Sequence, residues 1–233
     1  MSKIWAVIPA AGLGRRMGTA VKKQFITLGG KELLVYTLEV FEQVDEIEGV
    51  VLVCGKDDID HCHDLAKKYN LTKVKHVVEG AMQRQGSVFN GLNVLPKDCT
   101  LVVIHDGARP FVKPEEVKLT IDEAEKSGAC VLGVPVKDTI KIVDGSGVIE
   151  RTPQRSKLWA AQTPQTFRYP DILDAHRRAV VVGDFRCTDD AQIVEKYMDM
   201  PIKIVQGSYE NIKITTRTDL DIAEGIIRER ETV

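Results

Sequence analysis

The residues best suited to chemistry lie near the start of the chain. Ile4-Trp5-Ala6-Val7-Ile8-Pro9 is short, apolar and partly β-branched, and it runs into Ala10-Ala11-Gly12-Leu13-Gly14-Arg15-Arg16-Met17-Gly18, with Lys22-Lys23-Gln24 just beyond. Small residues let a backbone approach a ligand closely, and the N–H groups of such a loop can line an anion-binding nest. Arg15, Arg16, Lys22 and Lys23 put positive charge beside it. That combination suits a polyphosphate. Two familiar glycine loops do not fit. The dinucleotide fingerprint fails because Met17 stands at its third glycine position, and the second apolar run, Val50 to Val53, ends in Cys54-Gly55 where an acidic residue would bind a ribose. The P-loop fails because Gly30-Lys31 is followed by Glu32.

Other candidates follow later strands. Glu79-Gly80-Ala81-Met82-Gln83-Arg84-Gln85-Gly86-Ser87 leads into a helix, and His105-Asp106-Gly107-Ala108-Arg109-Pro110 follows the run Leu101 to Ile104. An Asp there can help hold Mg²⁺ or accept from a substrate hydroxyl, or it can simply brace the turn. Arg109 can pair with Asp106 or stay free for an anion. Thr163-Pro164-Gln165 reads as a turn, Thr188-Asp189-Asp190 as a helix N-cap, and Asn211-Ile212-Lys213-Ile214-Thr215 as a short strand with one lysine. Asp60-His61-Cys62-His63 lies on a polar helix whose adjacent residues point in different directions, which disfavours a metal site.

These residues need a scaffold that gathers strand ends. The order is strand, loop, helix (about 32–43), strand (50–54), helix (57–69), strand (74–78), helix (85–94), strand (101–105), helix (114–127) and strand (129–134). Such alternation predicts parallel strands with helices on both faces, and ligands beyond the strands' carboxyl ends. Asp138-Thr139 then opens, and Arg155 closes, a region with a hairpin around Asp144-Gly145-Ser146-Gly147. A hairpin of this kind is marginally stable alone, so it reads as an arm that packs on a second subunit. Helices near 170–182 and 189–198, strands near 202–206 and 211–215, and a helix from about 218 complete the pattern.

The chain has 233 residues, is 43% hydrophobic and 28% charged, and carries a formal net charge of -2, which gives no reason to expect a nucleic-acid or membrane partner. No apolar run approaches a membrane span, the chain enters a strand without a signal peptide, and Cys54, Cys62, Cys99, Cys130 and Cys187 are odd in number and scattered. A reduced, cytoplasmic protein is expected.

Eight motifs in order carry a resemblance over essentially the whole chain: Pro9-Ala10-Ala11-Gly12-x-Gly14-x-Arg16-Met17, Lys23-Gln24, Arg84-x-x-Ser87-Val88, His105-Asp106-Gly107-Ala108-Arg109-Pro110, Asp138-Thr139, Gln162-Thr163-Pro164-Gln165, Thr188-Asp189 and Asn211-Ile212-Lys213. Together they resemble the 2-C-methyl-D-erythritol 4-phosphate cytidylyltransferase family of the non-mevalonate isoprenoid pathway. The resemblance implies one nucleotidyltransferase domain over 1–233, a Rossmann-like and mostly parallel α/β sheet, and a protruding β-arm (137–156) for dimerisation. It implies transfer of CMP from CTP to methylerythritol phosphate with Mg²⁺ or another divalent cation. Catalysis would fall to Arg16, Lys23, Arg155 and Lys213, and CTP binding to Ala10, Ala11, Gly12, Gly14, Ala81, Met82, Arg84 and Ser87. Methylerythritol phosphate would meet Asp106, Arg109, Thr163 and Thr188, with Thr139 and Arg155 supplied by the arm of the second subunit. Asp106 is also the implied side chain nearest the metal, which would ride mainly on the CTP phosphates.

Two rivals share this scaffold. Ribitol-5-phosphate cytidylyltransferases are disfavoured by Ala10-Ala11-Gly12 and Arg15-Arg16, and a non-catalytic nucleotide sensor by the presence of Arg16, Lys23 and Lys213 together. One departure stands out. Family members often carry Gly-Gly and an acidic residue where this chain has Gly80-Ala81-Met82, which bears on base selectivity unless Glu79 substitutes.

Overall fold

The computed structural model describes residues 2–12 and 22–231; Gly14 and Arg16 lie outside the described residues. The first half alternates as expected: β1 (Ile4–Pro9), a two-residue pair β2 (Thr27–Leu28) and β3 (Lys31–Glu32), α1 (Leu33–Glu42), β4 (Ile47–Cys54), α2 (Ile59–Lys68), β5 (Val74–Glu79), α3 (Arg84–Asn93), β6 (Leu101–Ile104), α4 (Pro114–Ser127) and β7 (Ala129–Pro135). The second half holds β8 (Ile142–Val143), β9 (Ile149–Arg151), β10 (Trp159–Arg168), α5 (Tyr169–Val181), α6 (Asp190–Tyr197), β11 (Lys203–Gln206) and α7 (Arg217–Glu231). The main sheet has seven strands in the order β11-β7-β10-β6-β1-β4-β5.

Alternation along the central strands explains the layering. Ile4, Ala6 and Ile8 of β1, Val50 and Leu52 of β4, and Leu101 and Val103 of β6 face one core with Leu34, Leu38 and Phe41 of α1 and Val117 and Ile121 of α4. Trp5, Val7, Val51, Val53, Val102 and Ile104 face the other, against Val88 and Leu92 of α3, Ile172 of α5 and Val194 of α6. A strand buried on both faces has no polar side, so its sequence reads as a continuous apolar run. A third cluster joins Ile227 and Ala223 of α7 to Leu28, Leu33, Phe111 and Ile214.

Two expectations are corrected. Thr163-Pro164-Gln165 is not a turn but the middle of β10, which runs antiparallel to both β6 and β7. The ladder with β7 is interrupted between Ala161 and Gln165, and there the proline, which has no N–H to donate, is accommodated. Asn211 to Thr215 is not a strand. Its Ile214 N–H donates to Ala108 O at 2.9 Å, but no ladder forms around this bond.

The hairpin forms as expected. β8 and β9 pair antiparallel around Asp144, whose Oδ1 accepts from Ser146 N (2.8 Å), Ser146 Oγ (2.7 Å) and Val148 N (3.0 Å). Ile140, Val143, Val148 and Ile149 on it are exposed. Among the described residues no helix is long and apolar enough to cross a membrane.

Candidate active site

The carboxyl ends of β1, β5 and β6 open onto a cavity of about 620 Å³ lined by Pro9 to Gly12, Lys23, Gln24, Ala81 to Arg84, Ser87, Asp106 to Ala108 and Lys213. A second cavity of about 240 Å³ adjoins it, lined by residues that include Arg109, Gln162, Thr163, Gln165 and Thr188. Arg84, Asp106 and Lys213 line both. The smaller cavity exists because β10 is antiparallel: its early residues lie beside the carboxyl end of β6, where Thr163 meets Asp106.

The loops around the larger cavity are closely fitted. A Cβ on Gly80 would lie 2.4 Å from the Cβ of Ala11 and 2.9 Å from Ser87 Oγ, so only glycine lets the first and third loops touch. Ser87 Oγ accepts from Ala81 N at 2.9 Å and lies within reach of the carbonyls of Ala81 (3.2 Å) and Gln83 (3.1 Å). Its hydroxyl therefore holds the loop in shape. Met82 lines the cavity and is 97% exposed, so nothing in the protein covers it there.

Charge is concentrated where the cavities meet. Arg84 Nε donates to Asp106 Oδ1 at 2.7 Å, and Lys213 Nζ lies 2.5 Å from Asp106 Oδ2. Arg84 Nη1 lies 2.8 Å from Oδ2 of the fully buried Asp190; this is charge pairing, because the N–H direction misses a hydrogen bond. Asp190 Oδ1 in turn sits 3.3 Å from His176 Nε2. Burial alone would push the Asp106 carboxyl up; Arg84 and Lys213 more than reverse that and hold it well below the usual carboxylate range. Asp190 is likewise lowered against its own burial, by Arg84 and His176. Arg84, for its part, is raised because its two carboxylates outweigh desolvation.

A neutral hydrogen-bond chain braces this junction from below. Asp106 N donates to Thr163 Oγ1 at 3.1 Å, and in the neutral ring, whose one proton is needed at Nε2, His105 Nδ1 accepts from the Thr163 hydroxyl at 3.0 Å. His105 Nε2 then carries the ring proton and donates to Arg109 O at 3.0 Å. Burial pushes the His105 pKa down to about 4 from 6.5, against the two hydrogen bonds, which taken alone would raise it. The sign follows: the unfolded chain takes up a proton first, so stability is full above about pH 6.5 and falls as the pH drops towards 4, by roughly 3 kcal/mol for this group alone. Urea unfolding at stepped pH is expected to show that loss, and His105→Gln to flatten it.

The remaining polar side chains position loops. Arg109 Nη1 donates to Asn211 O at 2.7 Å, and Asn211 Nδ2 to Thr163 O at 2.9 Å, so Arg109 does not pair with Asp106 and instead fastens the segment that carries Lys213. That segment is also tied to the base of the arm: Tyr209 Oη donates to Pro135 O at 2.7 Å, with Lys137 Nζ 3.5 Å from the Tyr209 ring centroid. Asp189 caps α6 through Gln192 N (2.9 Å), and Thr188 N donates to Gln192 Oε1 at 2.7 Å, as the sequence indicates.

Of the residues expected at the site, Ala10, Ala11, Gly12, Lys23, Ala81, Met82, Arg84, Ser87, Asp106 and Lys213 come together at the larger cavity, and Arg109, Thr163 and Thr188 at the smaller. Thr139 and Arg155 line neither; both are exposed on the arm, with Arg155 Nη1 donating to Lys137 O at 3.1 Å. Asp190, His176 and Gln24 went unassigned by sequence. The only signal was a carboxylate in the first turn of a helix and an amide beside Lys23.

The family model described as IspD, 2-C-methyl-D-erythritol 4-phosphate cytidylyltransferase, matches residues 4–229. This chain belongs to that family. A curated 2-C-methyl-D-erythritol 4-phosphate cytidylyltransferase from Desulforamulus reducens is 50% identical over 99% of this chain and 98% of its own length, and one from Halalkalibacterium halodurans is 48% identical over 97% of each. Among solved structures, the 4-diphosphocytidyl-2C-methyl-D-erythritol synthase of Anaerococcus prevotii superposes with a TM-score of 0.86 at 35% identity, covering 97% of this chain and 99% of that one. The cytidylyltransferase fold, an α/β sheet that is mostly parallel, is thus shared along the length of this family member.

Proposed function

We propose that this cytidylyltransferase family member transfers CMP from CTP to 2-C-methyl-D-erythritol 4-phosphate. The observation that carries the reading is the pair of adjoining cavities with Lys213, Asp106 and Arg84 at their junction. CTP occupies the larger cavity against the backbone of Ala10, Ala11 and Gly12, with Gly14, Ala81, Met82 and Ser87 around it. The polyol phosphate occupies the smaller, near Thr163, Thr188 and Arg109. A phosphate oxygen attacks the α-phosphorus in line, a new P–O–P link forms, and the α–β bond breaks with pyrophosphate leaving.

Such a transfer asks mainly for positioning and for stabilisation of charge on the phosphoryl oxygens. Arg16 and Lys23 supply cations on the nucleotide side. Lys213 is held at the junction by Asp106, where it offsets the repulsion between the incoming phosphate and the triphosphate. Asp106, neutralised by two cations, accepts from substrate hydroxyls. It does not fit as a metal ligand, because the two cations already beside it would repel a third, and no group of three or more His, Cys, Asp or Glu among the described residues is arranged to hold an ion. Mg²⁺ or another divalent cation would be held mainly by the CTP phosphates and would supply charge neutralisation for the pyrophosphate that leaves.

The exposed apolar arm supports a homodimer in which Thr139 and Arg155 reach the partner's smaller cavity. Deleting 138–155 is expected to leave monomers without turnover; sedimentation coupled to an activity assay checks this, and an active monomer would sink the shared site. Five free thiols, four of them buried, support a reducing cytoplasm. Pyrophosphate release with CTP, Mg²⁺ and methylerythritol phosphate tests the whole reading, with ribitol 5-phosphate and with ATP, GTP and UTP as the other arms. Release with ribitol 5-phosphate in place of methylerythritol phosphate would overturn the substrate, and release with other nucleotides the base selectivity.

A further inference from the structure

Gln24 lies in the short turn Lys23–Phe25 and lines the larger cavity, yet its side chain is 2% exposed. Among the described residues neither Nε2 nor Oε1 has a hydrogen-bond partner. Other buried amides near the site are less deprived: Gln85 leaves only Oε1 unpaired because its Nε2 donates to Asp184 O, and Asn211 leaves only Oδ1. An amide buried with both polar atoms unpaired is costly in a free chain and rare in native proteins, and its usual explanation is a missing partner.

The surroundings identify that partner. Gln24 adjoins Lys23, which lines the same cavity and whose ammonium donates to Ile214 O at 3.3 Å. A second unpaired buried donor, Arg84 Nη2, belongs to a residue that lines this cavity from the side of the third loop. Unpaired donors beside an ammonium match the acceptor-rich oxygens of a polyphosphate, and an amide adds one acceptor that a hydroxyl can fill.

We propose that Gln24 is a nucleotide-binding residue: Nε2 donates to a phosphate oxygen of CTP, and Oε1 accepts from a ribose hydroxyl. The proposal rests on the cytidylyltransferase reading above and adds a contact to the same site. Its consequence is a trade of stability for binding, since the amide is satisfied only when the nucleotide arrives.

The test compares wild type with Gln24→Met, which keeps the length and removes both polar atoms, and with Gln24→Glu, which puts a carboxylate at the phosphates. Melting without ligand and CTP binding by calorimetry are read on each full-length protein. The expected result is a Gln24→Met melting temperature at or above wild type, with CTP binding at least fivefold weaker, and weaker still in Gln24→Glu. Weakening of less than fivefold in Gln24→Met overturns the proposal. So does a Gln24→Met protein that melts lower than wild type or fails to fold, because the amide was then already partnered in the free chain. Wild-type protein that binds no CTP would remove the cytidylyltransferase reading itself, an outcome visible before any variant is made.

Discussion

Lys213→Ala is expected to lower turnover by about 10²–10³-fold, the usual consequence of deleting one preorganised group that meets developing charge. That factor corresponds to roughly 3–4 kcal/mol of lost transition-state stabilisation. The lysine is placed where the cavities meet, on a segment held by Arg109, Asn211 and Tyr209, and its ammonium is kept in position by Asp106 at 2.5 Å. Nucleotide binding relies on other groups, so CTP affinity should stay near normal. Calorimetry with CTP alongside single-turnover product formation separates the two effects. A parallel loss of CTP affinity would contradict the role given to Lys213. Lys213→Arg is not a conservative rescue, because a planar guanidinium would compete with Arg84 for the same carboxylate.

The second large effect concerns stability. Asp190→Ala leaves the half-buried Arg84 with one carboxylate in place of two, and removes the group that faces His176. Breaking a buried pair by deleting one partner typically costs about 3–5 kcal/mol, and Asp190 has no exposed surface through which water could replace the missing charge. Urea unfolding should show that loss. Asp189→Ala is the comparison: it is the adjacent carboxylate, caps α6 through Gln192 N and accepts from Gln165 Nε2, and losing the cap and one such bond costs about 2 kcal/mol. Equal losses for the two would mean that Asp190 acts as a helix-terminal charge and not as the anchor of Arg84. Because Arg84 also holds Asp106, and Asp106 holds Lys213, Asp190→Ala should in addition raise the KM for the polyol phosphate more than that for CTP.

The pH dependence of stability belongs to the same region. Asp106 and Asp190 contribute stability above the ordinary carboxylate range and lose it as the pH falls below that range, whereas His105 begins to lose its share near neutrality. The first part of an acid transition should therefore report His105, and the last part the carboxylates.

Local pattern was enough for the alternating half of the fold. The apolar runs of β1, β4 and β6 are buried on both faces, so each strand announces itself without knowledge of its neighbours. The loop chemistry was legible for a similar reason: small residues followed by lysines can be read along the chain, and the motif order pointed to the family that the comparisons bear out. β10 was not legible. Gln162, Thr163, Pro164 and Gln165 are polar or ring-locked and signal a turn, but in the fold Gln165 finds Asp189 and the N–H groups of Asp190 and Ala191, while Thr163 finds His105. Those partners compensate polar groups that would otherwise keep the segment at the surface. Ile212 to Ile214 failed in the opposite sense: its alternation resembles a strand, but with no neighbouring edge to pair, it became the loop that delivers Lys213. The junction itself joins Arg84, Asp106, Asp190 and Lys213, residues whose separations in sequence carry no period. What brings them together is the antiparallel course of β10 and the packing of α6 behind it, and charges buried by such packing select their partners in space rather than along the chain.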